Sequence, residues 1–192
     1  YFAGGINPTT VDVIQKVQMV ATADATDVAN LVAARQSGAG ASSPQNYGYY
    51  AGSYPAGVTI EKYSMTTDAN ATDVGDLIAG TTYYQAGYTS ELYGWCSGGG
   101  SGGAGTNIIQ KYAFASDADA TDVADLNTSG GNCGTSSTTY GYRTGGHPFT
   151  NVIEKFAFVS TVNATDVGDM VKSDDMMSGI SAVGYGYICG GR

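Results

Sequence analysis

The chain has 192 residues and a net charge of −9, and only 13% of its residues are charged, about half the usual share. Five lysines and three arginines with no basic run exclude a phosphate backbone as the expected partner. No apolar run approaches the roughly 18 residues of a membrane-crossing helix, and 29 glycines with 15 tyrosines suit a β protein exposed outside the cell.

Tyr1 to Gly5 is the tail of an aromatic-glycine strand, so the chain starts inside a pattern, as a processed product or a segment of a longer protein would. Next come Ile14-Gln15-Lys16 and Ala25-Thr26-Asp27-Val28. This pair of phrases returns at Ile60-Glu61-Lys62 with Ala71-Thr72-Asp73-Val74, at Ile109-Gln110-Lys111 with Ala120-Thr121-Asp122-Val123, and at Ile153-Glu154-Lys155 with Ala164-Thr165-Asp166-Val167. The four aspartates lie 46, 49 and 44 residues apart, and a period of that length signals a propeller or array. One repeat domain over 1–192 is expected, with repeats near 1–46, 47–92, 93–139 and 140–184 and a surplus strand at 185–192.

Each period reads as four short strands. Tyr47-Gly48-Tyr49, repeated at Tyr93-Gly94-Trp95, Tyr140-Gly141-Tyr142 and Tyr185-Gly186-Tyr187, puts aromatic rings on one face, and its glycine is expected to let a neighbouring sheet approach. Thr59 to Met65 alternates apolar and polar residues. After the turn Thr66–Asn70 comes Ala71 to Leu77. A strand of small residues completes the period: Ala39 to Ser42, Ala86 to Thr89, Cys133 to Ser136 and Ser178 to Ser181, suited to a crowded inner position.

Lys62 and Asp73 lie symmetrically about the Thr67-Asp68 turn, as do Lys16 with Asp27, Lys111 with Asp122, and Lys155 with Asp166 about theirs. Cross-strand ion pairs on the solvent face are expected, each worth a fraction of a kcal/mol. Asp117-Ala118-Asp119-Ala120-Thr121-Asp122 has the oxygen density that Ca²⁺ favours. Its counterparts at Thr22-Ala23-Asp24 and Thr161-Val162-Asn163 lose carboxylates, so turn chemistry is the expected role and no metal site is assigned. Asn70, Asn127 and Asn163 stand in Asn-x-Ser/Thr sequons and are expected to serve as turn residues outside a eukaryotic secretory route. Cys96, Cys133 and Cys189 are odd in number and lack metal-ligand spacing; Cys133 fills a small-residue slot. The Gly98–Gly103 stretch lacks the lysine of a phosphate-binding loop.

The order of these strands resembles a kelch repeat, with Ile-Glu-Lys-Tyr standing where kelch repeats carry Val-Glu-x-Tyr. The wording Lys-Tyr followed by Asn-Ala-Thr-Asp-Val-Gly-Asp-Leu is similar to repeat segments in virion structural proteins of tailed phages from aquatic bacteria. The resemblance covers nearly the whole chain and implies an all-β, kelch-like β-propeller of four repeats of about 46 residues, or part of a larger ring or assembly. The usual third-strand tryptophan is missing. With His147 as the single histidine, the two-histidine copper site of kelch-fold oxidases cannot be assembled, and a Ser-His-Asp arrangement would depend on this one loop residue. No enzyme activity, catalytic residue or cofactor is expected.

Two sets of loops differ among the repeats: those after Gly-Gly (Ile6 to Thr9, Ser53 to Ala56, Gly99 to Thr106, His147 to Phe149) and those joining one repeat to the next (Ala34 to Gln36, Thr82 to Tyr84, Ser173 to Asp175). Strand alternation places both on one face, where recognition is usually carried, and Tyr54, Tyr83, Tyr84, His147 and Phe149 are the candidate ligand-binding residues. The expected role is a structural or adhesive component of a phage particle or fibre, extracellular or on the virion surface. Its expected partners are copies of itself or other structural subunits. Alternatives are a secreted lectin-like module binding cell-surface glycans, and a fragment of a larger propeller protein.

Overall fold

The computed structural model describes residues 1–55, 57–78, 83–101, 104–130, 133–147 and 149–191. It is all-β, with eighteen strands and, among the described residues, no helix. Sheet 1 contains β1 (Phe2–Ala3), β2 (Val11–Lys16) and β3 (Thr26–Arg35), in that order. Sheet 2 contains β4 (Ala39–Ser42), β5 (Tyr47–Ser53), β6 (Gly57–Ser64) and β7 (Thr72–Asp76). Sheet 3 contains β8 (Tyr83–Thr89), β9 (Tyr93–Ser101) with the short β10 (Ala104–Gly105) also paired to it, β11 (Ile108–Ala113) and β12 (Thr121–Asp125). Sheet 4 contains β13 (Cys133–Ser136), β14 (Tyr140–Thr144), β15 (Val152–Ala157) and β16 (Thr165–Asp169). Sheet 5 is the hairpin β17 (Met177–Ala182) and β18 (Tyr185–Gly190). Every pairing is antiparallel.

The sheets are phased one strand earlier than the sequence repeats. The small-residue strand opens a sheet and pairs with the Tyr-Gly strand that follows it, as Gly40 with Tyr50 and Gly134 with Arg143. Only a few residues separate these two strands, so they close as a hairpin across the boundaries drawn at 46/47, 92/93 and 139/140. Each full sheet therefore reads small, aromatic-glycine, Ile-Glu/Gln-Lys, Ala-Thr-Asp. Sheet 1 has the last three of these strands and sheet 5 the first two.

The core lies between sheets. Ile14, Ala29 and Leu31 of sheet 1 meet Tyr50, Tyr63 and Ala71 of sheet 2. Tyr49, Ile60 and Leu77 of sheet 2 meet Cys96, Tyr112, Phe114 and Ala120 of sheet 3. Trp95, Ile109 and Leu126 of sheet 3 meet Phe156, Phe158 and Ala164 of sheet 4. Each cluster draws on two successive sheets, so no sheet can bury its apolar face alone.

Two kinds of glycine make this stacking possible. Gly48, Gly94 and Gly141 sit directly opposite Tyr63, Tyr112 and Phe156 on the next strand, and a Cβ at any of them would run into that partner's ring. In sheets 2 to 4 the aromatic-strand glycine thus seats a ring from its own sheet and does not, as the sequence suggested, admit the neighbouring sheet directly; at Gly186 of sheet 5 the neighbouring sheet does approach, with a Cβ there 2.7 Å from Thr135 Oγ1 of sheet 4. The close approach between sheets belongs to the small-residue strands. A Cβ on Gly87 would lie 2.5 Å from the Gly40 carbonyl oxygen, and one on Gly134 would lie 2.8 Å from that of Gly87. Gly179 meets Gly134 in the same way. The crowded inner position expected of this strand is a backbone-to-backbone column.

Candidate functional site: the sheet junctions and the loop-bearing edge

The repeated polar residues converge on the junctions between sheets. In each Ile-Glu/Gln step a bulge interrupts the ladder, between Ile60 and Glu61, Ile109 and Gln110, and Ile153 and Glu154. Glu61, Gln110 and Glu154 are fully buried although they neighbour buried or half-buried isoleucines. In sheets 2 and 3 both faces of this strand are covered, because Ile60 and Ile109 face the following sheet and Glu61 and Gln110 the preceding one. There the side chain accepts hydrogen bonds from backbone N–H groups in the later part of the Ala-Thr-Asp strand or just beyond it. Glu61 Oε2 accepts from Val32 (2.6 Å), Gln110 Oε1 from Ile78 (2.9 Å), and Glu154 Oε1 from Asn127 (2.7 Å) and Thr128 (3.0 Å).

A second contact runs beside it. Asn70 Oδ1 accepts from the Asn30 N–H, Asp119 Oδ1 from Asp76 and Asn163 Oδ1 from Asp125, at 2.9 to 3.0 Å. The alanine that follows donates its N–H to the carbonyl of the same residue, at 2.8 Å for Ala71 to Asn30, Ala120 to Asp76 and Ala164 to Asp125. The phrase Asn/Asp-Ala is thus a two-point clasp on the preceding sheet, and the three alanines are buried. Asn127 adds a bond from Nδ2 to the Ala164 carbonyl, 2.9 Å. All three sequon asparagines are therefore used at junctions.

Arginines, Arg35 half-buried and Arg143 fully buried, complete two of these contacts. Arg35 Nε stands 2.6 Å from Glu61 Oε1, and Arg143 Nη1 lies 3.3 Å from Glu154 Oε2 with both side chains fully buried. Arg143 Nη2 also donates to the Gly130 carbonyl. Burial holds the Glu61 carboxyl above its ordinary range despite the Val32 N–H and Arg35, and lowers the Arg143 guanidinium.

The expected lysine–aspartate pairs within hairpins do not form. The register sets Lys16, Lys62, Lys111 and Lys155 opposite Thr26, Thr72, Thr121 and Thr165, while Asp27, Asp73, Asp122 and Asp166 fall opposite Gln15, Glu61, Gln110 and Glu154. Counting symmetrically about the turn misses the true register by one residue. Lys16 and Lys62 instead reach across a junction to Asp68 and Asp117 in the next sheet's turn. The corresponding turn in sheet 4 carries Thr161, and among the described residues Lys111 has no carboxylate partner. The aromatic-strand rings take part as well, with Lys62 over Tyr47, Lys111 over Tyr93 and Trp95, and Lys155 over Tyr140, at 4.4 to 5.2 Å. Asp73 and Asp166 accept from the N–H two residues on, Gly75 and Gly168. The acidic stretch at 117–122 is similarly occupied, by Lys62 on Asp117 and by the Asp76 N–H on Asp119.

The variable loops meet along one edge. Gln36 and Tyr54 exchange backbone hydrogen bonds, the Gly130 N–H reaches the Thr106 carbonyl, and the Gly146 N–H reaches that of Asp174. Loops after the aromatic-glycine strand thus touch loops leading to the next sheet, as strand alternation requires. Tyr54, Tyr84, His147 and Phe149 are exposed there, with the His147 and Phe149 rings 6.2 Å apart. Tyr83 heads β8, and its side chain lies outside the described portion, as does Pro148. His147 and Phe149 share one loop, Tyr83 and Tyr84 a second, and Tyr54 stands in a third.

Among the described residues no group of three or more His, Cys, Asp or Glu side chains is placed to hold a metal ion. The three cysteines are free. Cys133 is buried as its small-residue slot predicted, and burial raises its thiol; Cys96, also buried, is pushed up to about 12. Burial that disfavours the thiolate makes these two thiols poor nucleophiles at neutral pH.

Sequence reasoning missed the buried Glu/Gln column and its arginines. The alternation of the Ile-Glu-Lys strand implied a solvated polar face, whereas stacking covers it. A usable signal existed: position 61 and its equivalents are always Glu or Gln, two side chains that share an acceptor oxygen at the same reach. The sequence matches no protein-family model and no curated protein at a significant level.

Proposed function

We propose that this chain is a non-enzymatic structural and adhesive repeat protein, a kelch-like β-propeller segment displayed on a phage particle or its fibre. The observation that carries this reading is the use of the repeated polar residues. The Glu/Gln column, the Asn/Asp-Ala clasps and two of the four lysines are engaged in holding one sheet to the next. Stacking of successive sheets along a column of glycine-bearing strands supports the propeller reading. The loops that differ most between repeats lie along one edge, where a rigid scaffold can carry contact loops.

Imaging the native assembly tests the proposal. A symmetric array with this chain in fixed stoichiometry is the expected result, and a freely diffusing single chain would overturn it. The exposed aromatics Tyr54, Tyr84 and Phe149 favour a second reading, a lectin-like module that stacks sugar rings. A glycan array separates the two: selective binding lost in Tyr54→Ala and Tyr84→Ala supports the lectin, and no binding supports the scaffold.

A further inference from the structure

Three junctions inside the chain are built from the same parts, and parts of the same kinds are exposed on sheet 1 and sheet 4. At the N-terminal end, Gln15 is exposed where Glu61, Gln110 and Glu154 are buried, and Ala25 is exposed where Ala71, Ala120 and Ala164 are buried. Val17 and Met19 stand where Tyr63 and Met65, Tyr112 and Phe114, or Phe156 and Phe158 fill the inner junctions, and Met19 is 93% exposed. Asp24 precedes Ala25 as Asn70, Asp119 and Asn163 precede the buried alanines.

Sheet 4 presents the receiving half. Gly75 of sheet 2 has a φ of +151°, and a Cβ there would lie 2.6 Å from the Ala118 carbonyl of the next sheet. Gly168 repeats that conformation at +150°, yet nothing lies within 4 Å of its Cβ position. Asp169 and Val171, matching the clasped Asp76 and Ile78, are exposed. Tyr142 and Ile153 are only partly covered and border a cavity of about 390 Å³ against Tyr185 and Ile188 of β18.

The inner column is open at one end in the same sense. Sheet 1 has no small-residue strand, and Gly40 of sheet 2 has nothing within 4 Å of its Cβ position, although Gly87, Gly134 and Gly179 each meet a preceding strand. Sheet 5 pairs a small-residue strand with an aromatic one. Once the two-residue β1 is displaced from the edge of β2, a small–aromatic pair and an Ile-Gln-Lys and Ala-Thr-Asp pair add up to one complete sheet.

We propose that β17–β18 of one copy and β2–β3 of a second copy form a composite sheet that joins the chains head to tail. The six-residue β18 replaces the two-residue β1 beside β2, in the register of the inner sheets. Cys189 then faces Ile14, Ile188 faces Gln15 and Tyr187 faces Lys16, as Ala51, Tyr50 and Tyr49 face Ile60, Glu61 and Lys62. Gln15 and the Asp24-Ala25 clasp of the second copy engage Val171 and Asp169 of the first, and its Gly40 packs on Gly179. The contact is heterologous, so it propagates into a ring or a filament. This deepens the structural-protein reading by naming a second copy of the chain as its partner.

Sedimentation velocity on the purified chain, with far-UV circular dichroism as the folding control, tests the junction. Ala25→Arg places a charge in the clasp at a position exposed in the single chain, and Asp169→Pro removes the receiving N–H. The expected result is a mass that grows with concentration, with association weakened at least about tenfold in either variant. Because each variant keeps one intact half, mixing the two should restore a one-to-one pair. A constant single-chain mass would overturn the proposal, including one in which Cys189 is shielded from maleimide by closure of the chain on itself. Association indifferent to both substitutions would also overturn it. Neither of these results decides the particle-level reading, since a native array built through other contacts would still be seen by imaging.

Discussion

Two kinds of charge pair coexist in this protein, and their burial sets how much each contributes. Glu154 and Arg143 are both fully buried, so Glu154→Ala leaves a guanidinium without its carboxylate in the interior and releases the Asn127 and Thr128 N–H groups. A loss of about 3 to 5 kcal/mol in urea unfolding is expected. Lys62 and Asp117 are partly solvated, and Lys62→Ala is expected to cost less than about 1 kcal/mol. A result several times larger would mean that the tyrosine ring beneath Lys62 supplies much of the interaction.

Glu61 makes a separate prediction about pH. Burial raises its folded-state pKa above the ordinary carboxyl value of 4.5, so the folded protein binds the proton more tightly than the unfolded chain. Stability from protonation is fully present below the unfolded pKa and is lost as pH rises through the raised folded value. Glu61→Gln cannot titrate, and Gln110 shows that a carboxamide can accept the junction hydrogen bond. The stability of the parent relative to this variant should therefore increase as pH is lowered from 7 toward 4.5. A decrease would indicate that Arg35 outweighs burial.

At the scale of the strand, the aromatic-glycine motif works through cross-strand pairing. Gly94 and Gly141 hold the rings of Tyr112 and Phe156 against the backbone, and those rings in turn fill the junction with the preceding sheet. Replacing either glycine by Val should displace the ring and cost about 1 to 3 kcal/mol, read as a lowered urea midpoint. Asn70→Ala removes one arm of a clasp while the Ala71 backbone arm remains, and a smaller loss of about 1 kcal/mol is expected. An unchanged midpoint in the glycine variants would show that the ring can swing away without loosening the junction.

At the scale of the whole molecule, the buried clusters and the exposed C-terminal hairpin are separate parts. Sheets 1 to 4 share three buried clusters, whereas β18 is exposed along nearly its whole length. Removing residues 185–192 should leave the unfolding of the remaining sheets close to that of the parent and weaken association strongly, measured by parallel melting and sedimentation. A large drop in melting temperature with association intact would place β18 in the folding core.

The sequence by itself determined the strand content, the period and the edge that carries the variable loops, because these follow from alternation, turn residues and self-similarity along the chain. It also marked the small-residue strand as crowded. Only the tertiary structure decided where each polar repeat residue points. Glu61 reads as solvated because alternation describes one sheet, and its burial depends on a second sheet lying over the polar face. Lys62 reads as paired within its hairpin because a symmetric count ignores the true register and the bulge at Ile60-Glu61; its carboxylate comes from a turn 55 residues away. The aromatic-strand glycine shows the same limit. Its missing side chain was visible, but whether a ring or a backbone fills the space is fixed by register, which arises only when strands pair.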